Sequence, residues 1–357
     1  MILERMDDHP GARFLFILAC LVVVVYGIRF TAPIMLPSAM ALFLAVLSLP
    51  ILFALQHRGT PKFLAIALTV LVDVAVLGLV VLLASQSVSA FQAQLPRYAV
   101  RLQSLQEAWI SGLEARLGIP IGKYVTTELV NPAAVVDLVG STVGRIAQFV
   151  STTFLVLLVM IFMLSEATVF PAKVRAVMGV EDEDRLEKVI REIQSYLGIK
   201  TMVSLATGVL LGTWAFVLDL DFPVLLGLTA FVLNYVPTVG SIIAAVPAIL
   251  LSLILHGTLG HAVLVASGYA VVNLVFGNFL EPHLMGRRLG MSTLVVILSL
   301  IFWGWAWGPI GALLSVPLTV VVKIWMENTR DLRWVAVLLD KAPPDAPLGP
   351  VDPEGLV

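Results

Sequence analysis

Apolar stretches of about 20 residues recur along this chain, and each is long enough to cross a lipid bilayer as one helix. They lie at about residues 14–30, 33–55, 63–85, 146–166, 201–219 and 262–280, with two longer ones at 222–255 and 292–326. Of the 357 residues, 59% are hydrophobic and 13% are charged, whereas about 25% are charged in a typical soluble domain. We therefore predict an integral membrane protein. The chain lacks the alternating segments of roughly ten residues that form transmembrane barrels, so an all-α fold with several spans is expected.

Charge and cysteine content exclude several partners. The formal net charge is −2 and no basic block occurs, so nucleic acid is not predicted as a partner. Cys20 is the only cysteine, so no disulfide can form within the chain. His256 and His261 flank a turn but have no third ligand near them in the sequence, and we predict neither a metal site nor a cofactor. The segment "GIPIGK" at 118–123 has one residue too few between its glycines for a phosphate-binding loop.

Basic residues set the expected orientation, since Lys and Arg are enriched in cytoplasmic loops. Arg5, Arg13 and Arg58 place the N-terminus and the loop after the second span in the cytoplasm, and the bases after residue 322 place the C-terminus there too. The chain then divides into N-terminal spans (1–85), an extracytoplasmic amphipathic helical segment (86–145), a fourth span (146–166), a cytoplasmic amphipathic helix (167–200), a span with an outer hairpin (201–255), a span with a cytoplasmic-side hairpin (256–330) and a proline-rich tail that we expect to be disordered (331–357).

Two features near the outer ends of the spans have simple structural interpretations. The apolar stripe of segment 86–145, which includes Phe91 and Tyr98, is interpreted as a contact surface between subunits. Asp219 and Asp221 at the end of the fifth span are interpreted as a solvated turn.

The stretch "NYVPTVGSIIAAVP", residues 234–247, interrupts an apolar run with two prolines and a glycine. In a helix interior a proline costs about 3 kcal/mol and a glycine about 1 kcal/mol. If the run crossed the bilayer once, Arg287 and Arg288 would lie outside the cytoplasm; if it turns back near Pro237, both lie in the cytoplasm. We therefore predict a re-entrant helical hairpin. The alternative is a pair of kinked helices whose freed carbonyls are satisfied by Thr and Ser.

A second stretch, "GPIGALLSVP" at 308–317, has a similar order of proline and glycine. Each stretch follows one plain crossing, and the two crossings run in opposite directions, so we predict an inverted repeat with two re-entrant hairpins. Backbone groups freed at the hairpin tips can bind a polar solute without charged side chains. The candidate substrate-binding or pore-lining residues are Asn234, Pro237, Thr238, Gly240, Ser241, Pro309, Gly311 and Ser315.

Four further residues are candidates for gating or ion coupling: Asp73, Asn278, Glu281 and Arg287. A charged carboxylate in mid-span costs about 2.5–3.5 kcal/mol, so Asp73 either carries a proton or accepts a hydrogen bond from a neighbouring helix or subunit. Glu281 either gates an exit or binds a cation, or it pairs with an arginine and fixes the linker.

The two interrupted stretches carry a family resemblance. "NYVPTVGSIIAAVPAI" from residue 234 and "NFLEPHLMGRRLGMSTLVVILSLIFWGWAWGPIGALLSVPLTVVVKI" from residue 278 resemble the autoinducer-2 exporter (AI-2E) family of bacterial membrane proteins. The resemblance covers about residues 12–330. It implies a multi-span permease of the bacterial inner membrane that assembles as a homo-oligomer, a pentamer, with a quorum-sensing signal or, in other members, sodium and protons as substrates. The family positions it carries over are Pro237, Gly240, Pro247, Glu281, Pro282, Gly286, Gly308, Pro309, Gly311 and Pro317.

The resulting hypothesis is a secondary transporter, a permease or exporter, that moves a small polar solute or signalling metabolite by alternating access, with or without coupled ions. A passive channel and a sodium/proton antiporter are the nearest alternatives, followed by a membrane scaffold. An enzyme is not predicted. An intramembrane hydrolase would need Ser267 with His261 or His283 as its base, and the chain has no G-x-S-x-G motif.

Overall fold

A computed structural model describes residues 10–117, 153–170, 173, 176, 180–237, 239–285, 291–327, 329 and 332–340. Within these ranges the chain is helical, and the one β contact is an isolated bridge between Met291 and Asp340. The helices are α1 Pro10–Phe30, α2 Ala32–His57, α3 Lys62–Leu117, α4 Thr153–Ala167, α5 Val180–Val217, α6 Pro223–Leu233, α7 Val239–His256, α8 Leu259–Val272, a π-helix Asn273–Leu280, α9 Glu281–Met285, α10 Thr293–Glu327 and α11 Arg333–Leu339.

Six helical stretches are long and apolar enough to cross a membrane, judged by length and composition among the described residues. They are Ala32–His57, Lys62–Gly112, Ile190–Val217, Val239–His256, Leu259–Leu280 and Thr293–Glu327. Their surfaces carry many exposed large apolar side chains, as expected where lipid replaces water. The predicted all-α membrane fold is confirmed for this part of the chain.

The helices α3 and α5 are much longer than a bilayer is thick. α3 contains 56 residues and runs through Pro96 without ending, and α5 contains 38 residues. At a rise of 1.5 Å per residue they are about 84 Å and about 57 Å long, against a hydrocarbon thickness of about 30 Å. The boundaries predicted after residues 85 and 200 therefore fall inside continuous helices. The rest of the predicted segment 86–145, from residue 118 on, lies outside the described residues, as does the tail after residue 340. The prediction of a disordered tail is wrong for Arg333–Leu339, which form α11 with Ala336 buried.

The chain divides into two compact units, and the larger one, Ala41–Arg288, contains a close helix crossing between α5 and α6. A Cβ atom placed on Gly227 of α6 would lie 2.7 Å from the carbonyl oxygen of Gly208 and 3.1 Å from Cα of Gly212, both on α5. Gly208 and Gly212 are four residues apart and share one helix face. Small residues at this spacing let membrane helices approach closely, and here they bring the two backbones into direct contact.

The apolar stripe of α3 packs against its own chain. Tyr98 is buried, and the ring centroids of Phe91 and Phe222 are 5.6 Å apart in an edge-to-face pair. The hydroxyl of Tyr98 donates a hydrogen bond of 2.5 Å to Oδ2 of Asp221. The interpretation of this stripe as a subunit contact is therefore wrong for Phe91 and Tyr98, and Asp221 is not merely part of a solvated turn.

A little farther along, α3 also reaches the far end of α7. Nη2 of Arg101 donates to the carbonyl oxygen of Leu255 at 3.3 Å. Leu105 packs beside Gly257, whose φ of 66° turns the chain from α7 into α8. One helix thus holds both the start of α6 and the end of α7.

α6 ends at Leu233 and α7 begins at Val239, and residues 234–237 of the break between them are not helical. The backbone N–H of Val236 donates to the carbonyl of Leu233 at 2.9 Å, and that of Gly240 donates to Val236 at 3.2 Å. Ala230 of α6 and Ala244 of α7 are buried in one cluster and line one cavity. In a straight helix, residues at this separation would be about 21 Å apart, so α6 and α7 fold onto each other at the break.

The smaller unit, Met1–Met40 with Leu289–Val357, contains a second fold-back inside α10. Gly308 has φ 70° and ψ −156°, which interrupts the helix. Nε1 of Trp303 donates to Oγ1 of Thr319 at 3.0 Å, although a straight helix would place these residues about 24 Å apart. α10 therefore consists of two arms that pack against each other. Trp307 ties the fold-back to α1 by donating to the carbonyl of Ile28 at 3.0 Å.

Candidate functional site

A small cavity lies among α5, α6, α7 and α8 in the larger unit. Its volume is about 10 Å³, which is room for about one water molecule. Its polar lining comes from five uncharged side chains: Thr207, Asn234, Ser241, Tyr269 and Asn273. The rest of the lining is apolar, so hydrogen-bonding groups here are shielded from bulk water and interact strongly.

Two hydrogen bonds connect the four elements around the cavity. Nδ2 of Asn234 donates to Oγ of Ser204 at 3.0 Å, which joins the break after α6 to α5. Oγ of Ser241 donates to Oδ1 of Asn273 at 2.9 Å, which joins the start of α7 to the end of α8. Asn234 and Ser204 are buried. The predicted residues Asn234 and Ser241 are thus brought together at one cavity.

Two other hydroxyl groups at the cavity form no hydrogen bond with any protein atom among the described residues. Oγ1 of Thr207 and the phenol oxygen of Tyr269 are both buried and unbonded. A buried polar group left without a partner costs about 1–3 kcal/mol. Such groups in native proteins usually bond to an ordered water, an ion or a ligand, and here two hydroxyls at the same cavity are available to one.

The other predicted residues of the first break shape the turn. Pro237 is half-buried, and its carbonyl accepts a hydrogen bond from Val239. Gly240 is buried, and a Cβ atom there would overlap the carbonyl of Leu233, so only glycine allows α7 to start so close to the end of α6. Thr238 lies outside the described residues.

The second fold-back, in the smaller unit, also has a glycine where two backbone segments approach closely. A Cβ atom on the buried Gly311 would overlap the carbonyl of Trp303. Pro309 follows the break and is exposed. Ser315 is fully buried, but its hydroxyl donates to the carbonyl of Ala312 within its own helix at 2.8 Å. Its hydrogen bond is therefore already satisfied by its own backbone.

Among the gating candidates, Glu281 forms a buried ion pair with a lysine. Nζ of Lys200 lies 2.6 Å from Oε1 of Glu281, and the two side chains are 3% and 17% exposed. The alternative of a structural pair had named an arginine as the partner, and the structure supplies Lys200 of α5. Asn278 is exposed on the π-helix. Arg287 lies outside the described residues.

Asp73 lies on α3 and faces α2. Its Oδ1 accepts a hydrogen bond of 2.9 Å from the buried hydroxyl of Ser48. Its Oδ2 is buried and has no partner among the described residues. The interhelical hydrogen bond agrees with the structural alternative for Asp73, while the unbonded oxygen leaves the proton-carrying alternative open.

The paired histidines do not form a recognisable metal site. The rings of His256 and His261 stack with centroids 3.6 Å apart, and Nδ1 of His261 lies 2.9 Å from Oγ of Ser252. In the described ranges no group of three His, Cys, Asp or Glu side chains is placed to hold a metal ion.

Comparison with known proteins assigns the chain to a family. The sequence profile of the AI-2E transporter family matches residues 18–331. The chain belongs to the AI-2E family. It is 39% identical over 333 residues to the AI-2 transport protein TqsA of Escherichia coli, covering 92% of this chain and 96% of that one. It is 36% identical to a protein of Haemophilus influenzae (92% and 96% covered) and 34% identical to the protein YhhT of Escherichia coli (96% and 98% covered).

Membership of the AI-2E family confirms the resemblance and fixes the broad function. AI-2E proteins are transporters and not enzymes. With its apolar helices, this AI-2E chain is a multi-pass membrane transporter of the bacterial type. The cavity and the buried ion pair lie within the residues that the family profile matches.

Sequence reasoning missed five polar residues of this candidate site: Lys200, Ser204, Thr207, Tyr269 and Asn273. The first three recur at intervals of four and three residues, so they share one face of α5. A polar face on an apolar span is unusual, because polar groups in a membrane normally face protein or water. The spacing of these polar residues on α5 is therefore the sequence signal that could have identified them. Tyr269 and Asn273 have the same four-residue spacing on α8.

Proposed function

We propose that this chain is a secondary transporter that moves a small polar solute by alternating access, with the cavity among α5 to α8 on its path. The observation that carries the proposal is the pair of unbonded hydroxyls, Thr207 and Tyr269, at one cavity with two side-chain amides. These groups donate and accept hydrogen bonds but carry no charge, which suits a solute rich in hydroxyl or carbonyl groups. AI-2 is the first cargo to test, because the relative TqsA is named an AI-2 transport protein.

The size of the cavity supports a moving mechanism over a passive channel. At about 10 Å³ the cavity holds about one water molecule, so any larger solute requires the surrounding helices to separate. The break at 234–237 and the glycine contact at Gly240 give α7 a point at which it can change its angle to α6. Transport by a change of conformation then follows naturally, with the described arrangement as a narrow state.

Replacing Thr207 by valine tests the cavity. The variant keeps the side-chain shape and removes a hydroxyl with no partner, so the free energy of unfolding is expected to stay unchanged or to rise by up to about 1–3 kcal/mol. AI-2 flux into proteoliposomes is expected to fall about two- to tenfold, the effect of one neutral hydrogen bond of about 0.5–1.5 kcal/mol. Tyr269→Phe is expected to behave in the same way.

Thr213→Val is the matched control, because Thr213 lies on the same helix, is exposed and bonds to the carbonyl of Val209. Equal flux in wild type, Thr207→Val and Tyr269→Phe would remove the cavity from the path. Flux that never exceeds the AI-2 gradient under any imposed ion gradient would instead indicate a passive channel.

We further propose that the two fold-backs, at 234–237 and at Gly308, are re-entrant hairpins of an inverted repeat. Both breaks place a glycine against the carbonyl of the preceding arm, at Gly240 and at Gly311. The basic residues around each segment support entry from opposite faces of the membrane. The two hairpins are then equivalent elements with opposite orientations in the membrane.

Single cysteines at Val239 and Ile310, in a Cys20→Ser background, are expected to react with a membrane-impermeant maleimide from opposite sides of the bilayer. Inside-out and right-side-out vesicles measure the two sides separately. Cys20→Ser alone is the blank. Labelling of both positions from the same side would contradict the inverted repeat.

A further inference from the structure

The helix that follows α8 has an unusual hydrogen-bonding pattern. Residues Asn273–Leu280 form a π-helix, and the backbone N–H of Glu281 donates to the carbonyl of Phe276, five residues back. π-helices are rare, occur mostly as single bulges and are frequent at functional sites. The stretch here has eight residues, which is longer than the usual single-turn bulge.

Each end of the π-helix carries one of the polar contacts described above. Its first residue, Asn273, accepts the hydrogen bond from Ser241 at the cavity. Glu281, directly after its last residue, forms the ion pair with Lys200. The π-helix therefore connects the cavity to a buried ion pair through a single backbone segment.

A glycine within the π-helix fits this connection. A Cβ atom on Gly277 would lie 2.9 Å from Oδ1 of Asn273, the same atom that accepts the Ser241 hydroxyl. Contact this short would displace the amide group. Glycine at 277 thus leaves Asn273 free to turn toward the cavity.

We infer that the π-helix transmits occupancy of the cavity to the Lys200–Glu281 pair, which makes Asn273, Gly277 and Lys200 positioning residues of the transport cycle. The inference rests on the proposed function. A solute that bonds to Asn273 competes with Ser241 and frees the start of the π-helix. When one turn changes from i→i+5 to i→i+4 hydrogen bonds, that turn contains about one residue fewer. Glu281 then rotates by about 100° about the helix axis relative to Asn273. Its carboxylate then leaves Lys200.

The rate at which Lys200 is acetylated by a small membrane-permeant reagent, followed by mass spectrometry, reports the pair directly. In the wild type, Lys200 is 3% exposed and slow acetylation is expected. Gly277→Ala and Ser241→Ala, which disturb Asn273 from two sides, are expected to accelerate acetylation of Lys200 about tenfold, since local opening exposes it. Ser241→Thr, which keeps the hydroxyl, is expected to restore the slow rate.

The same mass spectra also report the acetylation of two control lysines. Lys323 is also buried, 9% exposed beside Asp340, but in the other unit, and its rate should not change. Lys173 is 60% exposed and should react fast throughout. Ser267→Ala on α8, whose hydroxyl bonds to Leu264, should leave Lys200 slow. A merely structural effect would accelerate Lys323 together with Lys200 and so would overturn the inference.

Unchanged acetylation of Lys200 in both Gly277→Ala and Ser241→Ala would also overturn it. Should Gly277→Ala fail to fold, Ser241→Ala, which only removes a hydroxyl, decides alone. These measurements need no cargo, so they separate failure of the linkage from failure of the proposed function. Adding AI-2 to the wild type gives a second arm: acceleration of Lys200 supports both proposals, whereas measured AI-2 flux with no acceleration overturns the linkage only.

Discussion

Replacing Gly227 by valine is expected to separate α5 from α6 and to lower the free energy of unfolding by about 3 kcal/mol, the upper range for overpacking. The new side chain would meet the backbone of Gly208 and Gly212, with its Cβ atom only 2.7 Å from a carbonyl oxygen. Backbone cannot move aside as a flexible side chain can. Thermal unfolding in detergent, followed by the yield of folded protein, measures the effect.

Gly198→Val is the matched control for Gly227→Val. Gly198 lies on α5, the helix that Gly227 contacts, and a Cβ atom there would have no heavy atom within 4 Å. Valine has a slightly better helix propensity than glycine, so Gly198→Val should be neutral or weakly stabilising. If both variants unfold at the same temperature, the glycine crossing does not hold α5 and α6 together.

The second large effect is expected at the ion pair. Lys200→Met leaves the carboxylate of Glu281 buried without its cation, and removal of one partner from such a pair costs about 3–5 kcal/mol. The contact joins α5 to α9 at 2.6 Å with little exposure of either side chain. Chemical or thermal unfolding of the single variant should show most of this loss.

The double variant Lys200→Met with Glu281→Leu should regain most of the lost stability, because two apolar side chains can replace a buried pair. The exposed pair Lys173–Glu166, with side chains 60% and 52% exposed, gives the comparison. Lys173→Met should cost less than about 1 kcal/mol. A double variant as unstable as Lys200→Met would show that the pair does not interact as the geometry indicates.

The spans and the two interruptions could be predicted from the sequence because each depends on local composition. Apolar length predicts a helix that crosses lipid, and the glycines at 240 and 311 mark places where backbones meet. Asn234 and Ser241 were predicted as site residues, and both line the cavity. In all these cases the signal and the structure involve the same few residues.

The features that sequence reasoning missed depend on pairs of residues far apart in the chain. Glu281 alone indicated a partner but not that Lys200, on another helix, would provide it. Phe91 and Tyr98 formed an apolar stripe that could equally face a neighbouring subunit, and only the fold shows that Phe222 and Asp221 cover it. The ends of α3 were missed for a different reason. Its composition turns polar at residue 86, but helical hydrogen bonds continue there because polar residues are also good helix formers.

The contacts of α3 with the start of α6 and with the end of α7 limit how the cavity can open. Tyr98 bonds to Asp221 at the start of α6, and Arg101 bonds to Leu255 near the end of α7. Because both helix ends contact α3, moving them apart would break their hydrogen bonds with α3. If α6 and α7 move as proposed, these contacts favour a rotation about their ends beside α3, with the largest displacement near Asn234 and Gly240. Under the proposed function, widening would then be greatest next to Asn234 and Ser241, on the proposed path of the cargo.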